Sequence, residues 1–143
     1  MTGRVLAVDP GEKRIGIALS DPTATLAAPL AIIQHVQMME DCRKIIQMAT
    51  EHDVVLIIVG QALGAEGEET RQARHAKRIA ETLAAMSSIS VELWDESGST
   101  RDARQVRIEM GVNRKERSGH MDDRAAAMFL QSYLDRNSRQ ERS

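Results

Sequence analysis

The spacing of apolar and polar positions predicts a hairpin-like start followed by alternating strands and helices. Strands are predicted at Arg4–Asp9, Arg14–Ser20, Leu26–Ile33, Val54–Val59 and Ser90–Trp94. Helices are predicted at about Val36–Glu51, Glu68–Met86, from near Thr100, and Met121–Asp135. The order predicts one α/β domain: a mixed five-stranded sheet with helices on both faces. Residues 1–136 would form the domain and residues 137–143 a polar tail.

Local residue types support this assignment. Pro10-Gly11-Glu12-Lys13 separates the first two strands, and the Pro-Gly pair is typical of a tight turn. Pro29 interrupts the third strand, which favours an edge position. Val54–Val59 is continuously apolar, as expected for a strand that is buried on both faces.

Composition excludes several classes of protein. With 19 basic and 21 acidic residues the net charge is −2, so any basic surface must be local. Only three aromatic residues are present (Trp94, Phe129 and Tyr133), which argues against modules that stack bases on aromatic side chains. The single Cys42 excludes an internal disulfide and fits a cytoplasmic setting. No apolar run approaches the roughly 20 residues of a membrane span, and no signal peptide is evident.

Acidic residues stand at three suggestive places. Asp9 ends the first strand, Asp95-Glu96 follows the last strand, and Asp122-Asp123 opens the final helix. Each alone has an ordinary explanation, as a turn cap or as a favourable charge at a helix N-terminus. Together they could converge, and the repulsion between carboxylates would then be relieved by divalent cations. Helical geometry does not choose between Asp122 and Asp123.

Several residues could hold a phosphate. Lys13 and Arg14 adjoin the first turn, and Ser99 and Thr100 open a predicted helix, followed by Arg101. Simple N-capping explains Ser99 and Thr100 equally well. Arg71, Arg74 and Arg78 share one side of a predicted helix, where a solvated face is the favoured interpretation and backbone contact the alternative.

Three runs of sequence resemble one known family: VDPGEKRIGIALSDP, VELWDESGST and MDDRAAAMFLQSYLD. They are similar to the YqgF/RuvX-type family of ribonuclease H-like nucleases, described as Holliday junction resolvases or pre-16S ribosomal RNA processing nucleases. The resemblance covers Arg4–Asp135. It implies a ribonuclease H-like fold and a site for two Mg²⁺ or Mn²⁺ ions on Asp9, Glu96 and Asp122, with Asp123 as the fallback.

The chain departs from the family pattern near this site. Ser97-Gly98 stands where the family usually has Arg-Leu, and Gln61-Ala62 stands where it usually has Leu-Pro. The three carboxylates survive both changes. We therefore expect these departures to change the affinity for substrate more than the chemistry of cleavage.

The sequence supports three functional hypotheses to different degrees. The leading hypothesis is a metal-dependent nuclease with Asp9, Glu96 and Asp122 as catalytic ligands, acting on a ribosomal RNA precursor or branched DNA. Junction resolution needs two active sites and would imply a homodimer. The alternative is a nucleic-acid- or protein-binding module in ribosome assembly or transcription with weak hydrolysis. A sugar-kinase-like phosphotransferase is disfavoured because 143 residues supply only one of the two domains it needs.

Overall fold

The computed structural model describes the backbone of residues 3–95 and 122–142, and the side chains of residues 3–95 and 124–138. The strands are β1 (Arg4–Pro10), β2 (Arg14–Ser20), β3 (Ala27–Gln34), β4 (Val54–Gln61) and β5 (Ser90–Asp95). The helices in this part of the chain are α1 (Met38–Glu51), α2 (Arg71–Met86) and α3 (Asp122–Arg142). The predicted helix near Thr100 lies outside the described residues.

The strands form one mixed sheet in the order β3-β2-β1-β4-β5. β2 is antiparallel to both of its neighbours, β1 and β3, so the predicted hairpin is confirmed. β4 pairs in parallel with both β1 and β5. β3 is an edge strand, as Pro29 indicated, because proline cannot donate a hydrogen bond to a further strand.

Alternation along the strands produces two apolar layers. Leu6, Val8 and Ile17 point to one face, where they pack with α1 and α2. Val5 and Ala7 point to the other face and pack with α3. Each of the two faces is therefore covered by helix, as predicted, and β4 contributes fully buried residues to both layers.

Element boundaries differ from the prediction where a side chain fixes the chain locally. α1 begins at Met38 rather than Val36, because the Asp41 carboxylate accepts the Val36 N–H at 3.0 Å and holds it outside the helix. α2 begins at Arg71, since Thr70 is its N-cap and accepts the Ala73 N–H at 3.0 Å.

The final helix is longer than predicted. It continues to Arg142, whereas the pattern placed its end at Asp135 and a polar tail beyond. The added residues are polar but include good helix formers, so the helix continues without an apolar face. β4 likewise runs on to Gln61, and Val55 near its start is 49% exposed rather than buried.

Candidate functional site

Three parallel strands end at the same edge of the sheet. β1, β4 and β5 run in one direction, and Gly60 of β4 pairs with Trp94 of β5. Asp9 is the penultimate residue of β1 and lies one position beyond the Val8–Val59 pair, level with Gly60. The carboxyl ends of parallel strands are where open α/β sheets bind ligands. We call this edge the upper end of the sheet.

Asp9 lies between two glycines. Its partner in β2 is Gly16, and its neighbour in β4 is Gly60. Neither glycine has a side chain, so no neighbouring strand covers the Asp9 carboxylate from the side. Asp9 is partly buried, and the positions that flank it within the sheet carry no side chains.

The Asp9 position belongs to the α3 side of the sheet. Asp9 continues the alternation of Val5 and Ala7, which pack against α3. Trp94 lies on the same side, where its ring meets Tyr133 of α3 edge-on at a centroid distance of 5.2 Å. Arg136 of α3 lies over the Trp94 ring at 5.5 Å. Trp94 precedes Glu96 by two residues in the chain.

The turn from β1 to β2 brings cationic groups to the upper end. The Gly11 N–H donates to the Arg14 carbonyl at 3.0 Å and closes a tight turn that exposes Lys13. Arg14 alternates with Gly16 and so belongs to the same side of the sheet as Asp9. Strand spacing places its Cα roughly 8–9 Å from that of Asp9, within reach of a shared phosphate.

One glutamine fixes how α3 lies on the sheet. Gln131 Oε1 accepts the Ala27 N–H and its Nε2 donates to the Thr25 carbonyl, both at 2.9 Å. These contacts lie at the start of β3, the end of the sheet opposite Asp9. Asp122 begins the helix nine residues earlier, about 14 Å along its axis.

Several predicted site residues fall in parts of the chain whose side chains the structure does not describe. Glu96, Ser99, Thr100 and Arg101 are outside the described residues. For Asp122 and its fallback Asp123 the structure gives only backbone, in the first turn of α3. Within side chains 3–95 and 124–138, no three His, Cys, Asp or Glu residues form a group able to hold a metal ion.

Two groups that the sequence pattern did not single out are buried or paired. Asp41 is 3% exposed and accepts from both the Val36 N–H and the His35 ring. His75 lies near this pair, and burial, followed by the charges of Arg78 and His35, lowers its pKa. An acid at an apolar helical position was the available signal for Asp41.

Cys42 packs in the core. Its side chain is fully buried on α1, and burial raises the pKa of the thiol to about 11. Gly64 and Gly67 form a turn closed by a 2.9 Å backbone hydrogen bond. No helix within the described ranges is long and apolar enough to cross a membrane.

Comparison with known families extends over nearly the whole chain. Residues 3–136 match the family model RuvX, described as Holliday junction resolvase. A relative from Anaeromyxobacter sp. (strain Fw109-5), named "Putative pre-16S rRNA nuclease", is 38% identical over 132 residues, or 92% of this chain and 96% of its own. A relative from Roseiflexus sp. (strain RS-1) with the same name is 34% identical, covering 93% of this chain and 94% of its own.

Solved structures show the same fold at low sequence identity. T. thermophilus RuvC in complex with Holliday junction substrate aligns with a TM-score of 0.58 at 14% identity, covering 95% of this chain and 96% of that one. The fowlpox virus Holliday junction resolvase aligns with a TM-score of 0.51 at 17% identity, covering 92% and 98%. The predicted ribonuclease H-like fold is therefore confirmed.

Proposed function

We propose a metal-dependent mechanism for this chain, which belongs to the RuvX family and is a nuclease. In this proposal Asp9, Glu96 and Asp122 hold two Mg²⁺ or Mn²⁺ ions, with Asp123 as the fallback for the third ligand. The observation that carries it is the position of Asp9 between two glycines at the carboxyl ends of three parallel strands.

The donor set fits such ions. Carboxylate oxygens are the ligands that Mg²⁺ and Mn²⁺ prefer. The glycines beside Asp9 add no side chains that would compete with water or a substrate phosphate, which Mg²⁺ usually keeps in its coordination shell. Trp94 and α3 lie on the same side of the sheet as Asp9; Trp94 precedes Glu96 by two residues, and Asp122 is the first residue of α3. Bound metal ions would activate water and stabilise the leaving oxygen.

The chain's own cations would orient the substrate. Arg14 shares the face of Asp9, and Lys13 projects from the adjoining turn. A guanidinium can hold two phosphate oxygens at once, whereas an ammonium group acts as a point charge. We assign Arg14 to orienting the scissile phosphate and Lys13 to a neighbouring phosphate. Ser99, Thr100 and Arg101 are proposed as further substrate contacts. Hydrolysis would leave a 5′-phosphate and a 3′-hydroxyl.

For the substrate we propose structured nucleic acid, first a precursor of 16S ribosomal RNA. The names of relatives that share more than a third of their residues with this chain support RNA. A four-way DNA junction is the second candidate and would require a homodimer, so that two sites can cut symmetrically. Processing of ribosomal RNA would place the protein in the cytoplasm.

A side-by-side cleavage assay tests the proposal. Full-length protein is incubated with a precursor 16S RNA end and with a four-way DNA junction, in Mg²⁺, in Mn²⁺ and in chelator. Asp9→Asn and Glu96→Gln should each lower the cleavage rate by about a hundredfold or more, because each removes a charge from the reacting centre. Asp122→Asn and Asp123→Asn, compared directly, identify the third ligand.

Asp53→Asn is the matched control, since Asp53 is exposed at the opposite end of the sheet with φ of 54°, which asparagine also tolerates. It should cleave at the wild-type rate. Cleavage that persists in chelator, or in Asp9→Asn, contradicts the proposal. Metal-independent RNA binding without any cleavage would instead favour the binding-module hypothesis.

A further inference from the structure

We propose that the exposed basic side of α2 binds the nucleic-acid backbone as a second contact region, separate from the carboxylate site. This region, the α2 basic face, consists of Arg71, Arg74, Lys77 and Arg78. All four side chains are exposed, on the side of the helix turned away from its buried residues. The inference rests on the proposed function for its choice of partner and extends that function to a specific surface.

The charge on this face is not neutralised locally. Among residues 3–95 and 124–138, Arg71, Lys77 and Arg78 form no ion pair or side-chain hydrogen bond. Arg74 donates only a long 3.5 Å hydrogen bond to the Glu69 carbonyl. An ordinary solvated helix face gains stability from pairs of opposite charge three or four residues apart. The charges here remain available to an external anion.

The placement of these cations also opposes the helix dipole. The first turn of α2 contains no acidic residue, and Arg71 is its first residue. A cation in the first turn costs about 0.3–1 kcal/mol relative to an acid. The arrangement therefore lowers the stability of the free protein, and a phosphate chain bound near the helix N-terminus would offset that cost.

Nearby acids do not cancel the charge. Glu68, in the preceding loop, accepts the Glu66 N–H at 2.9 Å and is turned back into its own loop. Asp41 is buried and occupied by Val36 and His35. Glu12 acts on His75 from the turn side. Glu81 lies within the α2 basic face, four residues after Lys77 and three after Arg78, but it forms no ion pair with either among the described residues.

Imidazole groups link the α2 basic face to the upper end of the sheet. The His35 N–H donates to the Lys13 carbonyl at 2.9 Å, so His35 adjoins the turn beside Asp9. His75 of α2 feels the charges of both His35 and Arg78, which places the three groups close together. The turn that carries Lys13 is thus connected through His35 to the part of α2 that carries His75 and Arg78.

The length of the α2 basic face matches a short stretch of a nucleic-acid duplex. Arg71 begins α2 immediately after the loop that leaves the upper end of β4, and Arg78 lies about 10 Å further along the axis. That span corresponds to about three base pairs of a duplex strand. A second copy of this chain is a poor occupant, because a two-fold contact would set the two basic faces against each other.

The test measures binding of full-length protein in chelator to a fluorescent four-way DNA junction and a fluorescent RNA hairpin, by anisotropy over a series of salt concentrations. The variant is Arg71→Gln/Arg78→Gln. The matched control is Arg43→Gln/Lys44→Gln, which makes the same charge change on the neighbouring helix α1. Thermal unfolding of every variant confirms that it is folded.

The α2 variant should bind about tenfold more weakly at low salt, and the slope of log K against log salt should fall by about two. The control should stay within about twofold of wild type, with an unchanged slope. An α2 variant that matches the control overturns the inference, as does a wild type that binds neither probe. Cleavage in Mg²⁺ is measured separately: loss of slope without any wild-type cleavage supports the inference and refutes the proposed nuclease mechanism.

Discussion

Gly11→Ala should destabilise the β1–β2 turn through a direct collision with backbone. A Cβ at residue 11 would lie 2.3 Å from the carbonyl oxygen of Arg14, whereas ordinary contacts begin at about 3.4 Å. Gly11 does not have a positive φ, so the collision, rather than backbone conformation, makes glycine necessary here. The oxygen cannot move away as a side chain would, because it belongs to the strand that follows.

The cost can be worked from the atoms involved. The displaced oxygen is the acceptor of the 3.0 Å hydrogen bond from the Gly11 N–H, and the loss of that bond costs about 1 kcal/mol. Steric overpacking adds about 1–3 kcal/mol. The total of about 2–4 kcal/mol is smaller than a typical stability of 5–15 kcal/mol, so the variant should still fold. Its melting temperature should fall by roughly 10 °C.

Thermal and urea unfolding followed by circular dichroism measure this change. Gly67→Ala is the informative comparison: its added Cβ meets nothing within 4 Å, but its φ is +83°. Conformational strain alone predicts a cost of about 1–2 kcal/mol there. The reasoning is refuted if Gly11→Ala melts at the wild-type temperature or costs no more than Gly67→Ala. Because Arg14 moves with the turn, Gly11→Ala should also slow cleavage, whereas Gly67→Ala should not.

Two further predictions concern buried and hydrogen-bonded carboxylates. Asp41→Ala should cost about 2–3 kcal/mol in chemical denaturation, since it leaves the Val36 N–H and the His35 ring without their acceptor; an unchanged midpoint would contradict this. Hydrogen bonds from Thr23, Leu26 and Thr25 lower the pKa of Asp21 to about 2 from its ordinary 3.8. The stability that Asp21 contributes should therefore be complete above about pH 4 and be lost as the pH falls towards 2. Unfolding midpoints across this range should show a smaller acid dependence in Asp21→Asn, and equal dependence in both proteins would refute the assignment.

The fold could be predicted where local signals and long-range pairing agree. β2 was located to the residue because a Pro-Gly turn fixes one end and Asp21-Pro22 the other. Helix starts were less predictable, since the boundary at Met38 depends on a hydrogen bond from Asp41 to the preceding chain. The end of α3 was missed because residues past Asp135 show no apolar period, and exposed polar residues with good helix propensity leave no such pattern.

The site could be predicted only in part. The position of Asp9 near the end of a strand is visible in the sequence, but its place between Gly16 and Gly60 depends on strand order, which no local pattern contains. Its role as a metal ligand stays a prediction. The sequence does not predict the hydrogen bond between Asp41 and His35 for a related reason. A single acid in a helix is usually a surface residue, and only the fold shows that the Asp41 carboxylate is buried and accepts from the His35 ring. The choice between Asp122 and Asp123 depends on the orientation of a helix start, and remains a prediction.

The two proposed regions divide binding and chemistry between the faces of one sheet. With a net charge of −2, the protein as a whole does not attract nucleic acid, so affinity has to come from a local excess of cations. A larger excess beside Asp9, beyond Lys13 and Arg14, would pair with the carboxylates and compete with divalent ions for them. Cations on α2, across the upper end of the sheet, can hold the phosphate backbone without neutralising the Asp9 carboxylate. Because the sheet separates the two regions, one small domain could bind a polyanion and still retain a site for metal ions.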